Sequence, residues 1–337
     1  MDTNIDKPLI SVLMIVYNAE KYVAEAIESV RNQTYKNWEL IIVYDNSTDR
    51  TLSIIEKEAS EDRRIKIIKN NDKKPGILES RNISLETAKG KYLAILDSDD
   101  IALPQRLSVQ CQFMENHPDI AVAGSWVFVQ NNDRGNMVMK NETDPDIVSG
   151  GLLFNTMIAN PSSMIRKSFL DEHKIKYDPE FAFAEDYAMW VKCAEYGKIT
   201  NIADILVIYR QHEESHTVKS RERQSVDVPR LRETLLTKIG LYPTEEELKL
   251  HNTTVTDGNK NIFVEKSLVW LNKIKDANNT TRKYKNYALS YILEKRFYLI
   301  CRQNLGLKNF LLFLKNPFGK MMDHIYKSLK LFIKLIL

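Results

Sequence analysis

Three carboxylates stand close together in the stretch AILDSDDIALP, residues 94–104. Asp97, Asp99 and Asp100 follow directly on a short apolar run and precede Pro104. Like charges at this spacing repel one another, so they indicate a positively charged partner. Hard divalent cations such as Mg²⁺ and Mn²⁺ take carboxylate oxygens and bridge them to substrate phosphates. The stretch therefore predicts a metal-assisted phosphate site, and the alternative is a solvated turn whose acids cap the next helix.

Other acid-rich sites fit the stretch less well. A haloacid-dehalogenase-type phosphatase continues its Asp-x-Asp sequence to Thr and Val, where this chain has Asp100 and Ile101. A calcium loop needs a glycine and a distal glutamate at fixed offsets, and neither occurs here. A nucleotidyltransferase would open with a glycine-rich, basic loop after its first strand, whereas this chain has VYNAEKY. Handling of phosphate through a metal remains the best interpretation.

The elements that position these acids are predicted to be parallel strands joined by helices. Strands are predicted at 9–17, 38–44, 64–70, 91–97 and 120–130, and the first two are apolar runs typical of strands buried on both faces. Amphipathic segments separate them; Asn18 stands where the first helix needs its N-cap, and Gly90 where the helix at 79–90 should end. This order predicts an α/β fold with an open, mostly parallel, Rossmann-like sheet flanked by helices.

Polar residues follow three of these strands, at 17–18, 45–49 and 97–100. Ligands of open parallel sheets bind at the carboxyl ends of the strands. The three clusters are therefore expected to converge on one ligand.

Four stretches together resemble glycosyltransferase family 2, namely residues 10–51, 80–82, 90–100 and 183–190. The resemblance covers roughly residues 8–217 and weakens beyond them. It implies a GT-A-type fold and an inverting transfer of a sugar from a nucleotide sugar. It also divides the catalytic domain, 1–217, into a nucleotide-sugar half at about 8–103 and an acceptor half at about 104–217.

The resemblance assigns the donor site by position. Asp45 matches the acid that accepts the N3–H of uracil, a charge-assisted contact, although the often acidic position before it is Tyr44 here. Asp97 matches the residue near the ribose. The full set of nucleotide-sugar-binding residues expected from the resemblance is Val16, Tyr17, Asn18, Asp45, Arg81, Asn82, Asp97 and Ser98.

A divalent metal, Mn²⁺ or Mg²⁺, is implied as the cofactor. Asp99 and Asp97 match the D-x-D pair, and Asp100 could share in either task. Arg210, His212 and Ser215 match an R-x-H-x-x-S pattern of the family, and we expect His212 to be the third metal ligand, ahead of His216.

Asp186 matches the catalytic base of the family. An inverting transfer needs one carboxylate to remove the proton of the acceptor hydroxyl, and it should come from another segment than the metal site. The neighbouring Glu185 would raise its pKa and orient nearby groups. The alternative is that both acids merely stabilise the first turn of a helix.

Two further features concern the acceptor side, and the first of them comes from the same resemblance. The stretch 160–169 is expected to help form it. Trp126, Trp190 and Tyr187 could stack on sugar rings, although core packing is the expected role of at least two of them.

The net charge of +3 conceals an asymmetry. Residues 1–217 have 25 Lys and Arg against 34 Asp and Glu, whereas residues 218–337 have 23 against 11. The second region is predicted to be mainly helical, and it ends in a basic amphipathic helix at about 316–337. Such a helix can lie on an anionic membrane, and the alternative is that it packs on protein.

The N-terminus lacks the layout of a signal peptide, and three distant cysteines argue against a disulfide framework or a zinc site. We therefore expect a cytoplasmic enzyme at the inner face of the membrane, with no nucleic-acid partner. It would pass one sugar, carried by UDP, to a glycan or lipid-linked saccharide in cell-surface polysaccharide synthesis. A sugar-nucleotide nucleotidyltransferase and a catalytically silent nucleotide-sugar binding module remain open as alternatives.

Overall fold

The computed structural model describes residues 7–70, 76–131, 135–212 and 221–316, with 318, 330, 333 and 334. The chain forms two compact units, Met1–Pro145 with Thr156–Gln224 and Asp146–Asn155 with Ser225–Leu337. The predicted boundary at residue 217 lies outside the described residues, as do Ser215, His216 and most of the predicted helix at 316–337.

Nine strands form one sheet in the described part of the first unit. They are β1 (Ile10–Val16), β2 (Trp38–Tyr44), β3 (Ile65–Lys69), β4 (Tyr92–Ile95), β5 (Ile101–Ala102), β6 (Ile120–Asn131), β7 (Met137–Met139), β8 (Met164–Arg166) and β9 (Lys198–Gln211). Their order is β3-β2-β1-β4-β8-β6-β9-β5, with β7 paired to β6.

The first half of the sheet is parallel, as predicted, since β1 pairs with β2 and β4, and β2 pairs with β3. The second half is mixed, because the short strand β8 runs antiparallel to both β4 and β6. β5 and β7 are antiparallel to their partners, and the long pair β6 and β9 is parallel. The fold is therefore α/β with an open sheet whose parallel character is confined to the nucleotide half and the β6–β9 pair.

Helices flank the sheet and make up the second unit. Their bounds are α1 (Val23–Arg31), α2 (Thr51–Glu61), α3 (Ile77–Thr87), α4 (Arg106–Asn116), α5 (Pro145–Gly151), α6 (Lys167–His173), α7 (Glu185–Tyr196), α8 (Arg221–Thr237), α9 (Glu245–Asn252), α10 (Lys260–Thr281), α11 (Asn286–Gln303) and α12 (Leu307–Leu314). Two short 3-10 helices, Asn160–Ser162 and Pro179–Phe181, precede β8 and α7.

Burial explains the elements of the nucleotide half. Every residue of β2 is buried, as expected for a strand covered on both faces. In α1 the apolar residues at helical spacing, Val23, Ala26, Ile27 and Val30, all lie in the core. The four predicted strands of this half differ from the structure by no more than two residues at either end.

Two local predictions are wrong. The first helix begins at Val23 with Tyr22 as its N-cap, whereas Asn18 lies earlier, in the left-handed conformation at φ 47°. The helix preceding β4 ends at Thr87, three residues before Gly90. Gly90 is needed for another reason, because a Cβ there would lie 2.5 Å from the backbone nitrogen of Ser11.

The second unit has a polar group at its centre. His251 is buried; its Nε2–H donates to the Leu153 carbonyl at 2.8 Å, and its Nδ1 accepts from Trp270 Nε1 at 3.3 Å. Burial lowers the pKa of His251 to about 3, so the ring is neutral and serves packing. Across the described parts of both units, no helix is long and apolar enough to cross a membrane.

Candidate active site

The three clustered aspartates form a tight turn directly after β4. The Asp100 N–H donates to the carbonyl of Asp97 at 3.1 Å, which closes the turn. Asp100 is fully buried, and its Oδ1 accepts the backbone N–H of Arg210 at 2.8 Å. Burial, with the charges of Asp99 and Asp97, raises the pKa of Asp100 well above its ordinary value. The turn is thus anchored by an acid that favours a proton or a cation.

The end of β9 meets the same turn. His212 Nε2 lies 2.9 Å from Asp99 Oδ2, and both side chains remain partly exposed, at 21% and 24%. Burial and the charge of Asp97 raise the pKa of Asp99, against the lowering effect of His212. The structure therefore brings the predicted metal ligands Asp99 and His212 together.

Buried guanidinium groups supply positive charge around the turn. Arg106, on α4, is 1% exposed and donates from Nη2 to the carbonyls of Ile95 at 2.7 Å and Ser163 at 3.2 Å. Burial lowers its pKa to about 9, and the carboxylates of Asp100 and Asp97 oppose that lowering. Arg106 thus places a buried positive charge near the acidic turn, and it was not among the residues predicted from the sequence.

Arg81, on α3, is the second buried cation. Its Nη2 lies 3.6 Å from Asp97 Oδ1 and its Nε 3.5 Å from Glu185 Oε1. The side-chain amide of Asn160, turned so that its oxygen faces the guanidinium, accepts from Arg81 Nη2 and Nη1 at 3.1 and 3.2 Å. The guanidinium carbon lies 5.6 Å from the ring centroid of Tyr177. Burial opposes the charge of Arg81, yet Tyr177 and the nearby carboxylates raise its pKa.

Asp186 begins α7 beside this cation. It is partly buried, and its Oδ1 accepts the N–H of Tyr187 at 2.7 Å, a contact to the helix N-terminus that was foreseen as the alternative role. Burial first, and then the charge of Glu185, raise the pKa of Asp186 to about 7, while Arg81 opposes the rise. A carboxylate with this pKa can take up a proton near neutral pH.

The residues predicted to bind the nucleotide lie at the ends of β1 and β2. Asp45 follows β2, is 7% exposed, and has its pKa raised by burial. Its N–H donates to the Val16 carbonyl at 3.0 Å, and its Oδ1 accepts from Asn70 at 3.4 Å. Asn18 Oδ1 accepts the N–H of Thr48 at 2.8 Å, which ties the loop after β1 to the loop after β2. Tyr17, in the same loop, is exposed.

Asn82 contacts protein backbone, and the three aromatic candidates differ in their burial. Asn82 uses both ends of its amide on the backbone of Tyr177, at 2.9 and 3.1 Å, so it fastens that segment beside Arg81. Trp190 is fully buried in α7, so core packing, the role expected of at least two of the three aromatic residues, is its role. Tyr187 is buried too, whereas Trp126 is partly exposed and donates to the Asn141 carbonyl at 2.9 Å.

Three residues of the site were not identified from the sequence. Asn160 lay within the stretch 160–169, to which no separate role for Asn160 was assigned. Tyr177 and Arg106 belong to no sequence motif, because each acts through its burial beside charges from distant segments.

Ser98, a predicted nucleotide-sugar-binding residue, lies in the acidic turn and is partly exposed.

The donor groups fit a divalent cation in part. Among the described residues, no group of three or more His, Cys, Asp or Glu side chains is arranged to hold a metal ion. Magnesium-type sites, however, commonly use one or two protein ligands and complete the shell with substrate phosphates and water. The 2.9 Å between Asp99 Oδ2 and His212 Nε2 matches the separation of about 3 Å expected of neighbouring ligands in an octahedral shell.

The sequence of this chain is similar to those of known glycosyltransferases. The family model for glycosyl transferase family 2 matches residues 11–178. An uncharacterised glycosyltransferase of Methanocaldococcus jannaschii is 40% identical over 212 residues, 61% of this chain and 71% of the relative. The UDP-Glc:alpha-D-GlcNAc-diphosphoundecaprenol beta-1,3-glucosyltransferase WfaP of Escherichia coli is 34% identical over 207 residues, 60% of this chain and 78% of the relative.

A solved structure extends the likeness in fold. TarS 1-349 of S. aureus, in complex with UDP-GlcNAc, matches 97% of this chain and 90% of its own, with a TM-score of 0.58 and 21% sequence identity. At this identity the likeness concerns the fold, which is of the GT-A type. Taken with the family model and the relatives in sequence, it shows that this chain belongs to glycosyltransferase family 2.

Proposed function

We propose that this enzyme transfers a single sugar, with inversion, from a UDP-linked donor to a glycan or lipid-linked saccharide. One observation carries the proposal. The buried guanidinium of Arg81 contacts both Asp97, in the acidic turn, and Glu185, next to Asp186. The proposed donor site and the proposed base are therefore neighbours, although nearly ninety residues separate them in sequence.

Asp186 is proposed as the base. Its carboxylate takes the proton of the acceptor hydroxyl while the hydroxyl oxygen forms a bond to the anomeric carbon. The bond from that carbon to the β-phosphate oxygen breaks, and the nucleoside diphosphate leaves with the electron pair. Burial, with the charge of Glu185, raises the pKa of Asp186 to about 7, where a base is both ionised and strong enough to act.

The donor is proposed to bind along the strand ends. Asp45 would accept the N3–H of uracil, with Asn18, Tyr17 and the backbone at Val16 lining the same edge. Arg81 and Asp97 would lie toward the sugar and ribose. A divalent cation, Mn²⁺ or Mg²⁺, held by Asp99 and His212, would supply positive charge to the leaving diphosphate.

The acceptor is proposed from the relatives. WfaP is named for transfer of glucose to a diphosphoundecaprenol-linked GlcNAc, which supports a lipid-linked acceptor and a role in cell-surface polysaccharide synthesis here. A place at the inner face of the membrane fits such an acceptor. Contact through the basic residues of 316–337 is part of the same proposal.

A donor panel tests the proposal. UDP-, GDP- and dTDP-linked sugars are each added with Mn²⁺, and thermal unfolding is measured, since a ligand that binds the native state raises the midpoint. We expect stabilisation by a UDP-sugar and, with an acceptor, release of UDP. Release of pyrophosphate would identify a nucleotidyltransferase, and no stabilisation by any donor would contradict the proposal.

The variant Asp186→Asn tests the base. We expect it to bind the donor as the parent does and to lose about 10²–10⁴ in kcat. Asp204→Asn, the same change at an exposed position of β9, is the control and should keep full activity. Equal activity of the two variants would favour a different base or a silent binding module.

A further inference from the structure

The end of β9 and the residue after it contact the acidic turn through backbone and side-chain groups. Arg210 donates from its backbone to Asp100 Oδ1 at 2.8 Å and from Nε to the carbonyl of Asp99. His212 Nε2 lies 2.9 Å from Asp99 Oδ2. The turn and the strand end therefore form one assembly, although about 110 residues separate them in the chain.

The strand itself does not hold His212. The last ladder pair between β6 and β9 joins Asn131 to Gln211, so His212 lies one residue past the sheet. Its Nδ1 is buried and has no hydrogen-bond partner among the described residues. The orientation of the ring is therefore set by the contact of Nε2 with Asp99 and by the group that packs on the ring.

Tyr22, immediately before α1, is that group. Its ring centroid lies 4.7 Å from the centroid of His212, at an interplanar angle of 33°, and 4.8 Å from the guanidinium carbon of Arg210. Both distances fall in the range of favourable ring and cation–π contacts. One turn later, Glu25 Oε2 pairs with Arg210 Nη1 at 2.6 Å. The ring of Tyr22 thus packs on both His212 and Arg210, the two side chains that contact the acidic turn.

We propose that Tyr22, assisted by Glu25, is a positioning residue that presets the orientation of His212 and Arg210 against the acidic turn. Both residues contact His212 or Arg210, and neither is among the residues proposed to bind the donor or the metal or to act as the base. Their effect is to reduce the conformational freedom that His212 would otherwise lose when a ligand binds. The inference rests on the proposed function where it concerns the metal, but the positioning itself is independent of it.

Amide hydrogen exchange of the metal-free full chain tests the positioning directly. In Tyr22→Leu we expect the peptide that contains residues 208–212 to exchange roughly tenfold faster. Tyr22→Phe keeps the ring and should leave the rate unchanged, and Glu25→Gln should have a smaller effect of about twofold. Glu28→Gln, one turn further along α1 and exposed, is the control. Unchanged exchange in Tyr22→Leu would overturn the proposal.

A double-mutant cycle tests the consequence for the metal. With UDP present, Tyr22→Leu is expected to weaken Mn²⁺ binding about three- to tenfold in the parent and to add no further loss in His212→Ala. The same loss in both backgrounds would show that Tyr22 does not act through His212 and would overturn the proposal. If the parent chain binds no Mn²⁺, the proposed use of metal fails, while the exchange rates still decide the positioning.

Discussion

The Nε atom of Arg81 lies 3.5 Å from Oε1 of Glu185, and both side chains are less than 10% exposed. This ion pair joins α3, in the nucleotide half of the sheet, to the first residue of the helix that carries Asp186. Burial raises the pKa of Glu185, and Arg81 opposes the rise. One buried guanidinium thus contacts an acid of the proposed donor site and the residue next to the proposed base.

Replacing Arg81 is expected to affect stability and donor binding together. Arg81→Met would leave Asp97 and Glu185 without a buried counter-charge and should reduce the free energy of unfolding by about 3–5 kcal/mol. Arg81→Lys keeps the charge but loses the planar fork, so we expect a smaller loss of stability with a clear loss of donor affinity. Urea unfolding and UDP titration measure the two effects. A donor affinity unchanged in Arg81→Lys would exclude a role at the donor site.

The pH dependence of activity should follow Asp186. Because its pKa is raised to about 7 and a base must be ionised, kcat/KM is expected to fall about tenfold for each pH unit below that value. Initial rates between pH 5.5 and 8.5 give the profile. A profile that stays flat down to pH 5.5 would mean that another group accepts the proton.

The same shift predicts a gain in stability for Asp186→Asn. A carboxyl whose folded pKa is raised favours the native state at low pH, and this contribution is lost as pH rises through about 7. At pH 8 the parent carries a buried charge that the amide lacks, so the variant should be more stable by about 1–3 kcal/mol. The difference should shrink toward pH 4. Thermal unfolding across this range, with Asp204→Asn as control, checks both the sign and the trend.

Asp45 should determine the preference for uracil. Asp45→Asn removes the charge-assisted acceptor and is expected to weaken UDP binding about tenfold to a hundredfold. Binding of GDP should change little, so the ratio of the two affinities is the informative quantity. Isothermal titration of both nucleotides measures it, and an equal loss for UDP and GDP would point to a structural role for Asp45.

The basic end of the chain should bind anionic membranes. Replacing Lys320, Lys327, Lys330 and Lys334 by Gln removes contacts of about 1 kcal/mol each, so binding to vesicles with phosphatidylglycerol should fall at least a hundredfold. The control replaces four exposed lysines of the first unit, Lys57, Lys89, Lys140 and Lys174. Co-sedimentation with anionic and neutral vesicles measures the effect, and equal binding of the two variants would contradict membrane contact through this segment.

Local patterns predicted the nucleotide half well. Strands buried on both faces are nearly continuous apolar runs, so β1 and β2 could be located from such runs. The alternation of strands and helices located β3 and β4 and predicted the parallel order. The antiparallel insertion of β8 could not, because three residues carry no periodicity of their own. The positions of Asn18 and Gly90 were misread for a similar reason: the left-handed backbone at Asn18 serves a contact to Thr48, and Gly90 makes room for Ser11.

The sequence by itself determined which types of side chain the site contains and at which edge of the sheet they lie. Polar residues that follow parallel strands meet at the carboxyl ends of those strands. The resemblance to glycosyltransferase family 2 then marked Asp45, Asp99, Asp186 and His212 as separate candidates. Only the tertiary structure decided which charges face one another. Arg81 was expected only beside the nucleotide, and Arg106 was not expected at the site at all. Both become counter-charges of the acidic turn because folding buries them beside it, where low polarity strengthens each charge interaction.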